Sequence, residues 1–289
     1  MELIVVGVLS DYKGRVLLQQ SDNRTLIPIH RRLEPGVLPA DTLARAFRED
    51  TTLTVLPVRL TGLHYRAEPA GGELAFYFRC IMRGGDLAPP DGRPPAGFFD
   101  SAPLPRALSS RFHGPLAATL NHAGGPPLLT REERGLGQRL SRLLGNRPAA
   151  GGDDWAITIT VIARRPDGQI VWTRHEPNGM WHLPTAAPAP GEAPWAAAER
   201  LVRQAGLAGG AATLSAVEMA ANQPAANQPA ATLLFTMLLG EAARLSPPQQ
   251  YQMIDVTSSE AADISQDDRR RLARRDDPAA PSFIVMGGE

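Results

Sequence analysis

The chain has 289 residues, of which 43% are hydrophobic and 21% charged, and its 30 basic side chains balance 30 acidic ones. The length favours two compact domains, and the charge balance excludes the basic footprint of a general nucleic-acid or anionic-membrane binder. A single cysteine, Cys80, excludes an internal disulfide and a thiolate-rich metal site. No apolar run reaches the roughly 18 residues of a membrane span, and the N-terminal run is too short for a signal peptide. We therefore expect a cytoplasmic protein that binds neither nucleic acid nor membrane.

A predicted hairpin opens each half of the chain. Each hairpin consists of two apolar runs with a glycine turn between them: Val5–Leu9 and Val16–Leu18 around Gly14, then Ile157–Ala163 and Ile170–Trp172 around Gly168. Glycine supplies the positive φ that such turns need. The two turn glycines lie 154 residues apart.

A Pro-Gly loop and a predicted helix follow each hairpin. Apolar residues at i, i+3 and i+4 predict helices over Pro39–Asp50 and Pro194–Ala205. The distance from Gly14 to Thr52 is 38 residues, and the distance from Gly168 to Gly206 is the same. Because hairpin, loop and helix share this spacing, we infer a duplicated domain.

Strands and a late helix complete each half, which predicts an α/β sandwich with a mixed sheet in each. The predicted strands are Val55–Tyr65, Leu74–Ile81, Leu214–Met219 and Thr232–Leu239, and the late helices are Ser110–Asn121 and Ser265–Arg275. A capping box of Thr130 and Glu133 predicts an additional helix that runs to Leu144. We expect one domain at residues 1–128, this helix and a linker at 129–153, and a second domain at 154–289.

The strand–loop–helix unit of each half resembles the Nudix box, and the resemblance covers nearly the whole chain. It implies two tandem Nudix-like α/β/α sandwich domains with mixed sheets. We expect the two domains to pack as an intramolecular pseudo-dimer, and the sequence does not decide whether two chains also form a homodimer. In that family, carboxylates on one helix converge on divalent cations that hold a diphosphate. Such oxygen ligands suit Mg²⁺ or Mn²⁺, and the metal polarises the phosphoryl group and activates water.

In the first half, the box extends from Arg31 to Leu53 without gaps. The resemblance places Arg45 on the motif arginine and Glu49 and Asp50 on the paired glutamates. It therefore implies catalytic roles for these three residues, with Mg²⁺ or Mn²⁺ held by Glu49 and Asp50. The box is degenerate, because Val37 and Ala46 replace two motif glutamates, Thr52 replaces a glycine, and His30-Arg31 replaces a glycine pair.

In the second half, Trp181-His182-Leu183-Pro184 and Pro190-Gly191-Glu192 resemble the lead-in of the box. The helix that follows carries Arg200, Arg203 and Gln204 at positions where the family has glutamates. Cations at these positions repel a divalent ion, so the second box predicts no metal-dependent hydrolysis.

Five residues are candidate ligand contacts on the loops that would flank the two pockets: His30, Arg31, Trp181, His182 and Glu192. The two histidines also suit acid–base chemistry. Trp181 suits stacking on a planar ligand or packing in a core. Glu192 suits ligand binding or the favourable position of an acid at a helix start.

Three functions stay open, and the first is favoured. It is a repurposed bacterial Nudix-fold enzyme, for example of biosynthesis, that binds a small or nucleotide-like, diphosphate-type substrate without the full magnesium cluster. The second is a weakened hydrolase that cleaves the phosphoanhydride bond of nucleoside diphosphate derivatives with Glu49 and Asp50. The third is a non-catalytic nucleotide sensor or scaffold.

Overall fold

The structure is a computed structural model that describes residues 1–68, 72–132, 155–174, 176, 179–220, 229–240, 245, 250–258, 263–273 and 281–286. The chain divides into two compact units: Met1–Trp155 with Ala220–Pro229 and Val285–Glu289, and Ala156–Met219 with Ala230–Ile284. The domain limits at residues 128 and 154 stay a prediction. Within the described ranges, no helix combines the length and apolar character needed to cross a membrane.

The first unit contains a mixed five-stranded sheet and a small antiparallel sheet. Its strands are β1 (Glu2–Leu9), β2 (Val16–Gln20), β3 (Leu26–Ile27), β4 (Ile29–Arg32), β5 (Thr54–Arg66), β6 (Glu73–Gly84), β7 (Ala96–Phe99) and β8 (Leu128–Glu132), and its helices are α1 (Pro39–Thr51) and α2 (Ser110–Leu120). The strand orders are β4-β1-β6-β5-β8 and β3-β2-β7. Strand β1 is parallel to β6 and antiparallel to β4, so the predicted mixed α/β architecture is confirmed.

Strand β1 lies inside the mixed sheet and is buried on both faces, which explains its nearly continuous apolar sequence. On one face, Val6 and Val8 pack in a cluster that includes Phe112 of α2. On the other, Gly7 lies directly against Phe47 of α1. Since successive residues of a strand point to opposite faces, the two helices cover opposite sides of the sheet.

Helix α1 forms where apolar spacing predicted it. Pro39 occupies its first turn, where the missing N–H is not needed, and Leu43, Ala46 and Phe47 are buried. The helix ends at Thr52, whose φ of 62° is left-handed. A β-branched residue is unfavourable in this conformation, and the equivalent position of the second half is a glycine, as described below.

Thr130 lies in strand β8, so the predicted capping box at this residue is wrong. β8 pairs in parallel with β5, and Thr130 is opposite His64. The Thr130 hydroxyl lies 3.0 Å from Nδ1 of His64, so it serves this cross-strand contact rather than a helix N-terminus. Residues 133–144 of the predicted helix and the linker at 147–153 lie outside the described residues.

The second unit contains a mixed sheet with helices from the same local pattern. Its elements are β9 (Ala156–Arg164), β10 (Ile170–Thr173), β11 (Thr185–Ala186), α3 (Pro194–Gln204), β12 (Thr213–Ala220), β13 (Ala230–Leu238), β14 (Tyr251–Ile254), α4 (Gln266–Leu272) and β15 (Ser282–Met286). The order β14-β10-β9-β13-β12-β15 places β9 inside the sheet, parallel to β13. β9 thus corresponds to β1, which is parallel to β6 in the first unit.

The backbone φ angles at corresponding turns of the two halves support the inferred repeat. Gly14 and Gly168 have φ values of 75° and 89° in the turns after β1 and β9. The predicted hairpins do not extend beyond these turns, because β2 leaves β1 after one bridge and joins β3 and β7, and β10 pairs with β9 at one residue pair and otherwise with β14. At the ends of the two helices, Thr52 has φ 62° and Gly206 has φ 77°. The same unusual conformations recur at the same spacing, although only one of the two helix ends has the residue that adopts it without strain.

Replacing Gly7 with alanine tests the packing of α1 on the sheet. A Cβ there would lie 2.3 Å from Cε2 of Phe47, a fully buried ring. We expect Gly7→Ala to lower the free energy of unfolding by about 1–3 kcal/mol in urea denaturation. The matched control is Gly84→Ala in β6, where a Cβ meets nothing within 4 Å, so the change should stay within about 0.5 kcal/mol. Equal effects of the two substitutions would contradict the packing.

Candidate functional site

Arg31 and Asp50 form a tight ion pair at the end of helix α1. Arg31 lies opposite Val5 of β1, on the side of the sheet that α1 covers. Its Nη2 atom donates to Oδ1 of Asp50 at 2.6 Å, and its Nη1 atom donates to the carbonyl of His30 at 3.0 Å. Asp50 is only 2% exposed, so the pair places a guanidinium on a buried carboxylate.

Two further charged groups surround this pair. Nη1 of Arg93 lies 3.4 Å from the same Oδ1 atom of Asp50. Glu49 is more exposed, and its Oε2 atom lies 4.0 Å from Nη2 of Arg31. The structure therefore brings Arg31, Glu49 and Asp50 together and adds a second guanidinium, that of Arg93. This group of four is called the arginine–carboxylate cluster below.

The arginine–carboxylate cluster does not fit the divalent ion that the resemblance implies. An ion on Asp50 would lie beside two guanidiniums and would have to displace Arg31 from its 2.6 Å contact. Across the ranges that the structure describes, no group of three His, Cys, Asp or Glu side chains is arranged to hold a metal. Glu49 and Asp50 are thus placed for salt bridges with arginine.

Arg45 does not join the arginine–carboxylate cluster. Its Nη2 atom lies 2.6 Å from Oε2 of Glu34, in the loop between β4 and α1. The Glu34 carboxylate raises the pKa of Arg45 above its usual value through a hydrogen bond and its charge. The predicted catalytic arginine therefore fixes a loop carboxylate.

A cavity of about 310 Å³ lies in the first unit beside this loop. Its apolar walls include the side chains of Leu3, Leu33, Trp155 and Pro229, all buried. Its charged rim consists of Glu2, Arg32 and Glu34. The volume is at the lower end of the range for small-molecule sites, and an apolar interior with a few polar groups is typical of them.

His30 points away from Arg31, because the two are neighbours in strand β4. Its ring packs on Phe112 of α2 with 5.1 Å between centroids, and Nδ1 lies 3.0 Å from the carbonyl of Pro28. Burial lowers the pKa of His30, and the guanidiniums of Arg111 and Arg31 lower it further. His30 therefore belongs to the α2 side of the sheet.

In the second unit, Glu192 forms a two-point salt bridge with Arg200. Nε and Nη2 of Arg200 donate to the two carboxylate oxygens at 2.9 and 3.0 Å, and the amide of Ala189 donates to Oε2 at 2.7 Å. The hydrogen bond from Arg200 is the main cause that lowers the pKa of Glu192. An arginine at a family glutamate position thus binds the loop glutamate directly.

Trp181 and His182 have different environments. Trp181 belongs to the hydrophobic core of the second unit, and the guanidinium carbon of Arg174 lies 4.4 Å from its ring centroid. Core packing therefore accounts for this residue. The His182 side chain is 48% exposed, and its Nδ1 atom lies 3.4 Å from Oδ2 of the buried Asp268. Asp268 also accepts from the amide of Leu183 and the hydroxyl of Ser265, so it ties the lead-in loop to α4.

Sequence reasoning missed several residues of the candidate site in the first unit, among them Glu34, Arg93 and Trp155. Arg93 lies in a proline-rich segment without periodicity, 43 positions after Asp50, so no local pattern links the two. Trp155 follows the predicted linker. Only Glu34 carried a signal, as an acid directly before the Pro-Gly loop.

The sequence matches no protein-family model and no curated protein. Solved structures similar to this chain include an ADP-ribose pyrophosphatase from Streptococcus suis, with 16% identity, a TM-score of 0.36, and coverage of 46% of this chain and 98% of that chain. A NUDIX hydrolase from Nitrosomonas europaea has 18% identity, a TM-score of 0.40 and coverage of 46% and 79%. A MutT protein from Methanosarcina mazei has 16% identity, a TM-score of 0.37 and coverage of 41% and 91%. These likenesses concern the outline of the fold and do not assign an activity to this chain.

The pair of Glu192 and Arg200 has a matched control in the same helix. Arg200→Ala leaves a partly buried carboxylate without its partner, so we expect a loss of about 1–2 kcal/mol of unfolding free energy. Arg203 is 64% exposed and lies 3.8 Å from Glu199, so Arg203→Ala should change it by about 0.5 kcal/mol or less. Chemical denaturation at pH 7 measures both.

The difference in unfolding free energy between wild type and Arg200→Ala depends on pH, and its direction follows from the pKa of Glu192. Because the folded pKa of Glu192 is below its usual value of 4.5, the stabilisation is present above that pH and is lost as acid protonates the carboxylate. The difference between wild type and Arg200→Ala should therefore shrink on acidification below about pH 4. A difference that stays constant down to pH 3 would contradict the role of this ion pair.

Proposed function

We propose that the first domain binds a small, nucleotide-like molecule of the diphosphate type without a divalent-metal cluster, as the site of a repurposed Nudix-fold enzyme. The observation that carries this proposal is the contact of 2.6 Å between Arg31 and the buried Asp50. A guanidinium stands there in place of the cation that the family resemblance implies. One similar solved structure is named an ADP-ribose pyrophosphatase, and ADP-ribose therefore serves as the probe in the test below.

The charge of Arg31 supports binding of an anion. A guanidinium has five N–H donors in a fork that matches phosphate oxygens, and Arg31 uses two nitrogens for Asp50 and the His30 carbonyl. Its side chain is 32% exposed and that of Arg93 is 44% exposed. Remaining donors of both groups can therefore contact a phosphate that approaches from solvent.

Asp50 holds these guanidiniums in place and is too buried to contact a bulky ligand itself. An arginine whose geometry is fixed before binding loses less conformational entropy when the ligand arrives. Glu49 stays at the surface, 4.0 Å from Arg31. Its negative charge reduces the net positive charge of the arginine–carboxylate cluster and so weakens the attraction of the cluster for free phosphate. A larger ligand that makes additional contacts elsewhere is therefore favoured over free phosphate.

The cavity beside the β4–α1 loop supports a ligand larger than phosphate. Glu34 on its rim is bound to Arg45, and Arg32 on the rim neighbours Arg31 in the chain. Because Arg31 and Arg32 are consecutive residues of β4, the cavity and the arginine–carboxylate cluster are close along the backbone. The two side chains leave opposite faces of β4. A molecule with an anionic end and an apolar end matches the two features.

Calorimetric titration with ADP-ribose tests the proposal. We expect binding to wild type with equal affinity in excess EDTA and in millimolar Mg²⁺, and about tenfold weaker binding to Arg31→Gln, which loses a charge-assisted contact. Arg203→Ala, in the second unit, should bind as wild type does. No binding in EDTA, or binding restored only by Mg²⁺, would reject the proposal.

The same titrations separate the two other functions. A weakened hydrolase requires Mg²⁺ or Mn²⁺ for turnover, and Glu49→Gln abolishes that turnover. A sensor binds without any turnover and raises its melting temperature with ligand concentration. Product analysis after prolonged incubation with EDTA distinguishes a metal-free enzyme from a sensor.

A further inference from the structure

The paired strands β5 and β6 extend beyond the rest of the mixed sheet of the first unit. Strand β1 pairs with β6 only as far as Cys80, and β8 pairs with β5 only from Gly62 onward. Past these limits, residues 81–84 of β6 pair only with β5 within the described part of the chain, up to the pair of Thr54 and Gly84. The sheet thus ends in a two-stranded extension.

The second unit lacks such an extension. Strand β13 ends at Leu238, the residue that pairs with the last residue of β9, whereas β6 continues from Ile81 to Gly84 past its last pair with β1. β12 has 8 residues and β5 has 13. Because the two units share the same central order of strands, the core of the fold does not require the longer strands of the first unit.

Apolar side chains are exposed on the extension. Leu56 and Ile81 are directly opposite each other in the two strands, so their side chains lie on the same face, and they are 42% and 38% exposed. Val58, at a bulge in β5, is 48% exposed. Helix α2 ends before it reaches them, because the carbonyl of its last residue, Leu120, already accepts from Nη2 of Arg79. The helix therefore leaves these apolar side chains uncovered.

Three arginines lie beside these apolar side chains. Arg79 shares the face of Ile81, two residues away in β6, and Arg59 is directly opposite Arg79 in β5. Arg83 follows at a bulge near the end of β6 and is exposed. None of the three forms an ion pair with a carboxylate of a described residue, and Arg59 and Arg79 donate to backbone carbonyls at 3.3 to 3.4 Å. Since a guanidinium has five N–H donors, all three retain donors for a partner.

This part of the extension is called the ladder-end surface below, and it consists of Leu56, Val58, Arg59, Arg79, Ile81 and Arg83. We propose that the ladder-end surface is a docking site for an acidic amphipathic segment of another protein. An apolar centre with arginine beside it is typical of protein–protein contacts, and carboxylates of the partner complement the arginines. The surface shares no residue with the arginine–carboxylate cluster, so docking is a property beyond the proposed ligand binding.

Two other occupants lack the complementary charge. A second copy that docked the same surface about a two-fold axis would bring the arginines of both copies together, and like charges in contact oppose association. The segment that follows β8 is also basic, since residues 133–147 contain four arginines and one glutamate. An acidic partner avoids both conflicts.

The partner binds through side chains and does not add a strand to the sheet. Pro57 has no N–H to donate, and register shifts after Pro57 and after Leu60 interrupt β5. Proline and bulges on an edge strand oppose the addition of a further strand. An amphipathic helix, with one row of apolar residues between acidic ones, therefore matches the ladder-end surface.

Fluorescence anisotropy with three labelled amphipathic peptides of equal length tests the proposal. The first presents leucines at helical spacing with glutamates beside them. The second has lysine in place of glutamate, and the third has alanine in place of leucine. We expect wild type to bind the leucine–glutamate peptide in the micromolar range and at least about tenfold more tightly than either of the others, because only this peptide supplies both apolar area and complementary charge.

Substitutions on the two faces of the extension locate the binding. Ile81→Ser and Arg83→Glu should each weaken binding of the leucine–glutamate peptide by about tenfold. Arg83→Glu should also strengthen binding of the leucine–lysine peptide, a gain that misfolding cannot produce. Met82→Ser is the matched control, because Met82 is 52% exposed and its side chain points to the face opposite Ile81. It should bind both peptides as wild type does.

The possible results decide between the occupants. No binding of the leucine–glutamate peptide to wild type, or equal effects of Ile81→Ser and Met82→Ser, overturns the proposal. Dimers in sedimentation velocity that Ile81→Ser abolishes would assign the ladder-end surface to a second copy and contradict the proposal. Binding to phosphatidylglycerol vesicles that Arg83→Glu abolishes, without binding of the peptide, would assign the surface to a lipid headgroup layer and contradict it as well.

Discussion

A guanidinium paired with a buried carboxylate joins strand β4 to the end of helix α1 in the first unit. Asp50 is at the end of helix α1, beneath the surface, where an ionised carboxylate is costly unless a positive charge accompanies it. Arg31 supplies that charge from the neighbouring strand, at 2.6 Å. The pair therefore fixes the position of a guanidinium in the loop–helix region.

In the second unit, a different arginine and a different carboxylate form a comparable ion pair. Glu192 lies in the loop before its helix and Arg200 lies in the helix, so the charges are reversed relative to the first domain, where the helix carries the acid. In both domains, loop and helix are joined by an arginine–carboxylate contact.

Local patterns in the sequence were enough to predict most of the fold. Apolar runs with turn glycines predicted the strands β1, β2, β9 and β10 but not their pairing, since β2 joins β3 and β7 in a separate sheet. The spacing of Leu43, Ala46 and Phe47 predicted α1 within one residue of its end. The prediction at Thr130 was wrong because a capping box is a local signal, whereas β8 forms through pairing with a distant strand, β5. Long-range pairing has no signature within a short window of sequence.

The candidate site was predictable only in part, for the same reason. Arg31, Glu49 and Asp50 followed from the alignment with a family motif, and the structure brings them together. The contact of Arg93 with Asp50 joins residues far apart in the chain, as do the backbone hydrogen bonds between Trp155 and Met1. Neither contact follows from a spacing of residues in the sequence. Both are visible only in the three-dimensional structure.

The affinity of the wild-type protein for Mn²⁺, measured by electron paramagnetic resonance, tests most directly whether arginine has replaced the metal. The account predicts that the spectrum of free Mn²⁺ persists at micromolar concentrations with wild type and that Arg31→Gln, which frees Asp50 from its charged partner, binds the ion at least tenfold more tightly. Arg32→Gln, on the opposite face of β4, should leave the spectrum unchanged. Micromolar Mn²⁺ binding by wild type that is lost in Asp50→Asn would contradict the account.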